Sequence, residues 1–187
     1  NGCNNADSTM VNVRLNNHDG TYSTSAFTNS LGQYTFHTLA NSDTVTVALE
    51  QPSWFNVFPP THIINIPVPG ITAIADFCIT PIGTHTDLEV VLLPLSNARP
   101  GFNAQYRIVF RNKGNQFQSG TISLSFNDVK LNFVSSVPNP TNQTAGNLVW
   151  SFAGLSPFES RIINLSFHVN APPVVNIGDV LIFTAII

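Results

Sequence analysis

Hydrophobic residues recur at every second position through most of this chain. In "VNVRL", residues 11–15, Val11, Val13 and Leu15 fall on one side of an extended backbone and Asn12 and Arg14 on the other. Successive side chains of a strand point to opposite faces, so the pattern predicts a half-buried strand. "GQYTF" puts Tyr34 with Phe36, and "TVTVALE" groups Val45, Val47 and Leu49. Farther on, "AQYRIVF" turns Tyr106, Ile108 and Phe110 inward, "TISLSF" does so with Ile122, Leu124 and Phe126, "LVWSF" adds Trp150 and Phe152, and "RIINLSFHV" sets Ile163, Leu165, Phe167 and Val169 on one face. No stretch of about ten residues or more keeps a helical period without Pro, Gly or a β-branched run.

Between the early strands lie "NNHDG", "NSLG", "NSD" and "QPS". In such clusters Gly or Asn takes positive φ, and Asp or Ser bonds its own backbone, so hairpins are expected. Near residues 80–86, "TPIGTHT" breaks the alternation with Pro81 and Gly83 before "DLEVVLLPL" restarts it. The expectation is an all-β chain of two consecutive immunoglobulin-like β-sandwich modules. The first is a small sandwich over 1–82; the second, over 83–187, has about seven strands and the size of an immunoglobulin-like sandwich. The linker is too short to behave as a flexible coil.

Composition narrows the function classes. Only 9% of residues are charged against 43% hydrophobic, so solubility falls to Ser, Thr, Gln and 22 Asn. The net charge of −3 is divided unevenly, with five acids against Arg14 alone in residues 1–82. No clustered basic charge matches a phosphate backbone, so no nucleic-acid partner is expected. No apolar run approaches the roughly 18 residues that cross a bilayer, so no membrane insertion is expected, nor is there a charged n-region followed by an apolar stretch. Cys3 and Cys78 are the only cysteines. One precedes the first strand and the other sits in a late strand of the same module, a placement that suggests a staple and an oxidising compartment; two independent thiols are the alternative.

Two motifs carry a resemblance. "DGTYSTSAFTNSLGQYTFHTL" supplies Thr28, Asn29, Gly32, Tyr34 and Phe36 in the strand-turn-strand pattern of the Cna-B and SdrD-B-like repeats of bacterial surface proteins, which it resembles. Asp87, Leu88, Val90, Pro94, Pro100, Gly101, Tyr106, Ile108, Asn112 and Gly114, followed by Trp150, Leu155 and Pro157, resemble an immunoglobulin-like repeat of bacterial cell-surface proteins. In tandem the halves look like segments of large Bacteroidetes proteins, Flavobacterium-type, exported by type IX secretion. That likeness implies an extracellular, cell-surface module of an adhesin-like protein, some of which are linked to gliding motility. Its expected partners are neighbouring domains of the same chain, with glycans or secretion machinery as further options.

The resemblance also implies sites. SdrD-B-like first strands follow an acidic calcium loop, and Asn1, Asn5 and Asp7 would be its later ligands, with the two leading aspartates lying before residue 1. No cofactor is expected in these residues; calcium is expected only where such aspartates precede Asn1. Likewise, "LIFTAII" reads as a strand cut short. Isopeptide cross-links of the Cna-B type need a lysine, and residues 1–82 contain none; Lys113 in "NKGN" and Lys130 beside Asp128 read as solvated charges. O-glycosylation of the Bacteroidetes type would fall on Ser8 in "DST" and Thr44 in "DTV". Asn142 and Asn164 fit N-linked sequons.

Catalytic spacing is missing from the sequence. "GLSPF" has Phe158 where a nucleophile elbow needs its second Gly, and Pro157 spoils the turn. The histidines His18, His37, His62, His85 and His168 show no metal-ligand spacing and are expected on polar faces or turns. Asp87 and Glu89 share one strand face, where Arg or backbone donors are their expected partners rather than a proton-transfer role. In "PSWFNVFPP", Trp54, Phe55 and Phe58 could stack on a sugar or partner; they could equally plug the open end of a sandwich. The expected function is therefore a non-enzymatic stalk module, with an adhesive role as an extension. An accessory substrate- or glycan-binding module of a secreted multidomain hydrolase is the alternative.

Overall fold

The computed structural model describes residues 9–38, 42–68 and 70–187. The chain is all-β, with antiparallel sheets throughout and no α-helix among the described residues. It divides into two compact, sandwich-like units. The described part of the first runs from residue 9 to Asp87 and takes in two segments from later in the chain, Lys113–Gln116 and Ser156–Glu159.

In the first unit β1 (Arg14–His18), β2 (Ser23–Phe27), β3 (Ser42–Ala48) and β5 (Thr61–Asn65) form one sheet in the order β2-β1-β3-β5, while β4 (Phe55–Phe58) pairs with β6 (Cys78–Pro81). Val13, Leu15, Val45 and Phe55 are its buried apolar residues. The inward row on β1 continues past Leu15 to Asn17. Just before β1, Asn12 takes a φ of 58°, a left-handed conformation that Asn tolerates better than most residues. Thr28, buried, closes this corner: its hydroxyl accepts the Val13 N–H at 2.9 Å and donates to the Met10 carbonyl at 2.6 Å.

The expected strand over "GQYTF" is not one. Residues 33–38 keep the alternating half-burial of Tyr34 and Phe36 but join no ladder. Both neighbours of β1 are already taken, by β2 and β3, so that sheet offers this segment no free place beside β1. Its turn behaves as the spacing predicts. The Asn29 side chain accepts the N–H groups of Leu31 and Gln33 at 2.9 and 3.0 Å, and Gly32 takes a φ of 71°.

The second unit packs two four-stranded sheets around one core. Strands β7 (Leu88–Pro94), β8 (Asn103–Asn112), β10 (Leu131–Val137) and β13 (Ser160–Val169) form one, in the order β10-β13-β8-β7. The other is β11-β12-β9-β14, from β9 (Gln118–Phe126), β11 (Asn142–Thr144), β12 (Asn147–Leu155) and β14 (Phe183–Ile186). The total is eight strands; the short β11 lies in the turn-like "TNQT", which carries no alternation of its own. The predicted inward faces are the observed ones: Tyr106, Ile108 and Phe110 on β8, Ile122 and Leu124 on β9, Trp150 on β12, and Ile163, Leu165, Phe167 and Val169 on β13. Phe167 is fully buried and meets the rings of Tyr106, Phe126, Phe133 and Phe183 at centroid distances of 6.0, 4.8, 5.7 and 5.3 Å. Asn112 ends the inward row of β8 and donates to the Leu155 carbonyl at 3.0 Å, a polar partner that full burial requires.

Candidate binding site

Two arrangements in the first unit gather the residues with chemical potential. The first is built on the aromatic loop. Trp54 closes a short 3-10 turn, Pro52–Trp54, and its ring lies flat on the imidazole of His85, with centroids 4.5 Å apart and planes within 3°. Phe55 is buried, 4.9 Å from Phe158, whereas Phe58 is 72% exposed. Asn115 holds this loop. Buried itself, it donates from Nδ2 to the carbonyls of Trp54 at 3.1 Å and Ile82 at 3.0 Å and accepts the His85 N–H on Oδ1 at 2.8 Å. Of the aromatic trio, then, Phe55 is inward, Trp54 is half-buried on a histidine face, and Phe58 alone is open to solvent.

The second arrangement lies at the end of the β1–β3 face. Asn17 pairs across the ladder with Val45, and Asp43 stands two residues along β3 on the same face, which makes it the diagonal neighbour of Asn17. Asn17 Nδ2 donates to Asp43 Oδ1 at 3.0 Å, and the Thr38 hydroxyl donates to the same oxygen at 3.2 Å. Asn17 Oδ1 and Asp43 Oδ2, both buried, have no hydrogen-bond partner among the described residues. These residues line a cleft of about 850 Å³ whose walls include Tyr34, Phe36, Val45, Ile64, Ile66 and Ile74. The Tyr34 hydroxyl donates to the Ala75 carbonyl. Burial first, and the Asp76 charge second, push its pKa up to about 12.

Sequence reasoning passed over the second arrangement. By residue type Asn17 belongs to the turn "NNHDG" and Asp43 to the turn "NSD", yet both lie in strands. The period-2 row Val13, Leu15, Asn17 is the signal that places an amide on the buried face.

Other expected site residues lie apart. Cys78 is half-buried in β6, opposite Phe58; Cys3, together with the calcium-loop residues Asn1, Asn5 and Asp7 and the O-glycosylation candidate Ser8, lies outside the described residues. Thr44 is half-buried in β3, between His18 of β1 and Ile63 of β5. Among the described residues no cluster of three or more His, Cys, Asp or Glu could hold a metal ion. Glu89 accepts Arg111 Nε at 2.6 Å, the arginine partner expected of it. Lys113 differs from its solvated reading: its side chain is 24% exposed, and its ammonium stands 3.6 Å from Glu50. Lys130 pairs with Asp179 at 3.6 Å, a partner far along the chain that adjacency to Asp128 does not suggest. In "GLSPF", Ser156 opens a turn in which its N–H meets Glu159 Oε2 at 2.9 Å, and no helix follows.

No family model, curated protein or solved structure matches this chain.

Proposed function

We propose that this chain is a non-enzymatic structural module of a secreted, cell-surface bacterial protein, two immunoglobulin-like sandwiches set in tandem as part of a stalk. The observation that carries this reading is the use of the motif residues. Thr28, Asn29 and Gly32 build a self-bonded corner, Gly101 turns at a φ of 84°, and Asn112 caps a buried row. Residues that recur in the repeats this chain resembles thus work here as turns and core, as a scaffold requires. The neutral, amide-rich composition suits an exposed spacer, and the cysteine pair suits an oxidising environment.

Adhesion is the extension that needs a test. A glycan array and a cell-adhesion assay on the full 187 residues should give no saturable binding dependent on the aromatic loop. Specific binding abolished by Trp54→Ala overturns the pure spacer. The accessory-module reading is favoured by the open cleft beside Asp43, which a simple spacer has no need of.

A further inference from the structure

At the wall of the cleft stand two buried oxygen acceptors that no group among the described residues serves. Asn17 and Asp43 are 5% and 3% exposed, and Asn17 Oδ1 and Asp43 Oδ2 have no partner among the described residues. The orientation of the amide is set by its neighbour. Turning Asn17 over would bring its oxygen against the carboxylate oxygen that now accepts its N–H at 3.0 Å, an acceptor facing an acceptor. Oδ1 therefore stays unserved while the pair is intact.

Charge points the same way. Asp43 and Asp76 line the cleft together with His37 and Tyr34, and no Lys or Arg does among the described residues. Arg14, the only Lys or Arg in residues 1–82, donates to Ser25 at 3.2 Å and is not among the lining residues. Buried carboxylates are ordinarily paired with a cation or a metal. A hard divalent ion takes six or more oxygens, and no cluster of three acidic, His or Cys side chains occurs among the described residues. The walls are mixed: Tyr34, Phe36, Val45 and Ile64 offer apolar surface beside the polar Thr35 and Thr72, which suits a short apolar chain with a polar head.

We propose that the Asn17–Asp43 cleft binds a primary ammonium group carried on an apolar chain. An ammonium brings three N–H donors and a positive charge, enough to serve both orphaned oxygens and balance the carboxylate, while its methylenes lie against Tyr34, Phe36, Ile64 and Ile74. The chemistry is shared by a free alkylamine and by a lysine side chain. This assignment does not rest on the stalk reading: its failure leaves that reading standing, and its success favours the accessory module.

Titration calorimetry on the full chain tests it, with hexylammonium and a lysine-containing peptide as the two arms and hexanol, hexanoate and calcium chloride as comparisons. Saturable binding of either amine is expected, with hexanol and hexanoate inert. The arm that binds tighter identifies the source. Asp43→Asn should weaken binding at least about tenfold, the effect of losing a charge-assisted hydrogen bond. Should that variant fail to fold, Ile74→Trp narrows the cleft from a side chain that is 79% exposed, leaves the buried pair untouched, and should weaken binding by a similar factor. Absence of amine binding overturns the proposal in favour of water on the two oxygens. Calcium binding that displaces the amine overturns it in favour of a metal, and amine binding unchanged in both variants places the site elsewhere and overturns it too.

Discussion

Gly114 has no room for a methyl group. A Cβ there would lie 2.4 Å from the His85 carbonyl oxygen and 2.8 Å from the Asp87 nitrogen, and because both are backbone atoms neither can rotate away. The next residue, Asn115, depends on that close approach for its bonds to Trp54, Ile82 and His85. Gly114→Ala is expected to cost about 2–3 kcal/mol, combining overpacking with loosened buried hydrogen bonds, and a lowered urea midpoint at unchanged slope would register it. Tyr34 makes a prediction about pH. Its ordinary pKa of 10.0 rises to about 12 in the folded chain, chiefly through burial. Between those values the unfolded chain has released a proton that the native state keeps, so stability falls as pH rises from 10 towards 12 and is unaffected well below 10. Partial exposure screens the size of the effect, and the direction is the testable part. In Tyr34→Phe the alkaline decline should become shallower without vanishing, because burial also raises Tyr106; an unchanged slope in denaturation curves taken across that range would refute the assignment.

Strands in the second unit were legible wherever one face is buried. On β8 and β13 every second side chain goes to the core, and a slip of one residue would send Ile108, Ile163 and Phe167 to solvent, so the pattern also sets the register Ile163↔Ile108. Phe167 sits where four other rings converge. Phe167→Ala should therefore lose about 3–5 kcal/mol, the range for truncating a buried aromatic. Denaturation followed by the emission of buried Trp150, in a Trp54→Phe background, would measure it, and a loss under about 1 kcal/mol would mean that the site collapses around the truncation. The "GQYTF" segment marks the limit of such reading. Alternation reports which side chains face inward, but a strand also needs a neighbour with unpaired backbone, and β1 is paired on both sides, by β2 and β3. Asn17 and Asp43 were missed for a related reason. Their residue types favour turns, while position in the period-2 row puts them on the buried face, where a strand end tolerates an amide and a carboxylate that bond each other.

At the scale of the whole chain, what local sequence cannot encode is which distant segments a turn will meet. Lys113–Gln116 and Ser156–Glu159 read as ordinary turns between strands, yet both belong to the first compact unit, where Asn115 and Phe158 complete the aromatic loop. Such contacts join positions 61 residues apart in the case of Asn115 and Trp54, beyond any periodicity. The cysteines pose the same problem in reverse. Their spacing suggests a long closed loop, and the expected outcome is a Cys3–Cys78 bond. Closing about 75 residues would favour the native state by about 4–5 kcal/mol in the chain-entropy model, a large fraction of the roughly 5–15 kcal/mol that holds a typical domain together. Non-reducing peptide mapping should yield one linked peptide containing both cysteines, with the intact mass lower than the reduced chain by two hydrogens. Reduction should then lower the denaturation midpoint of the first unit, followed at Trp54, while leaving Trp150 in the second unit little changed. Free thiols on protein from an oxidising compartment, or a reduced form equally stable at Trp54, would instead make Cys3 and Cys78 independent residues and remove the argument for an extracellular location that rests on them.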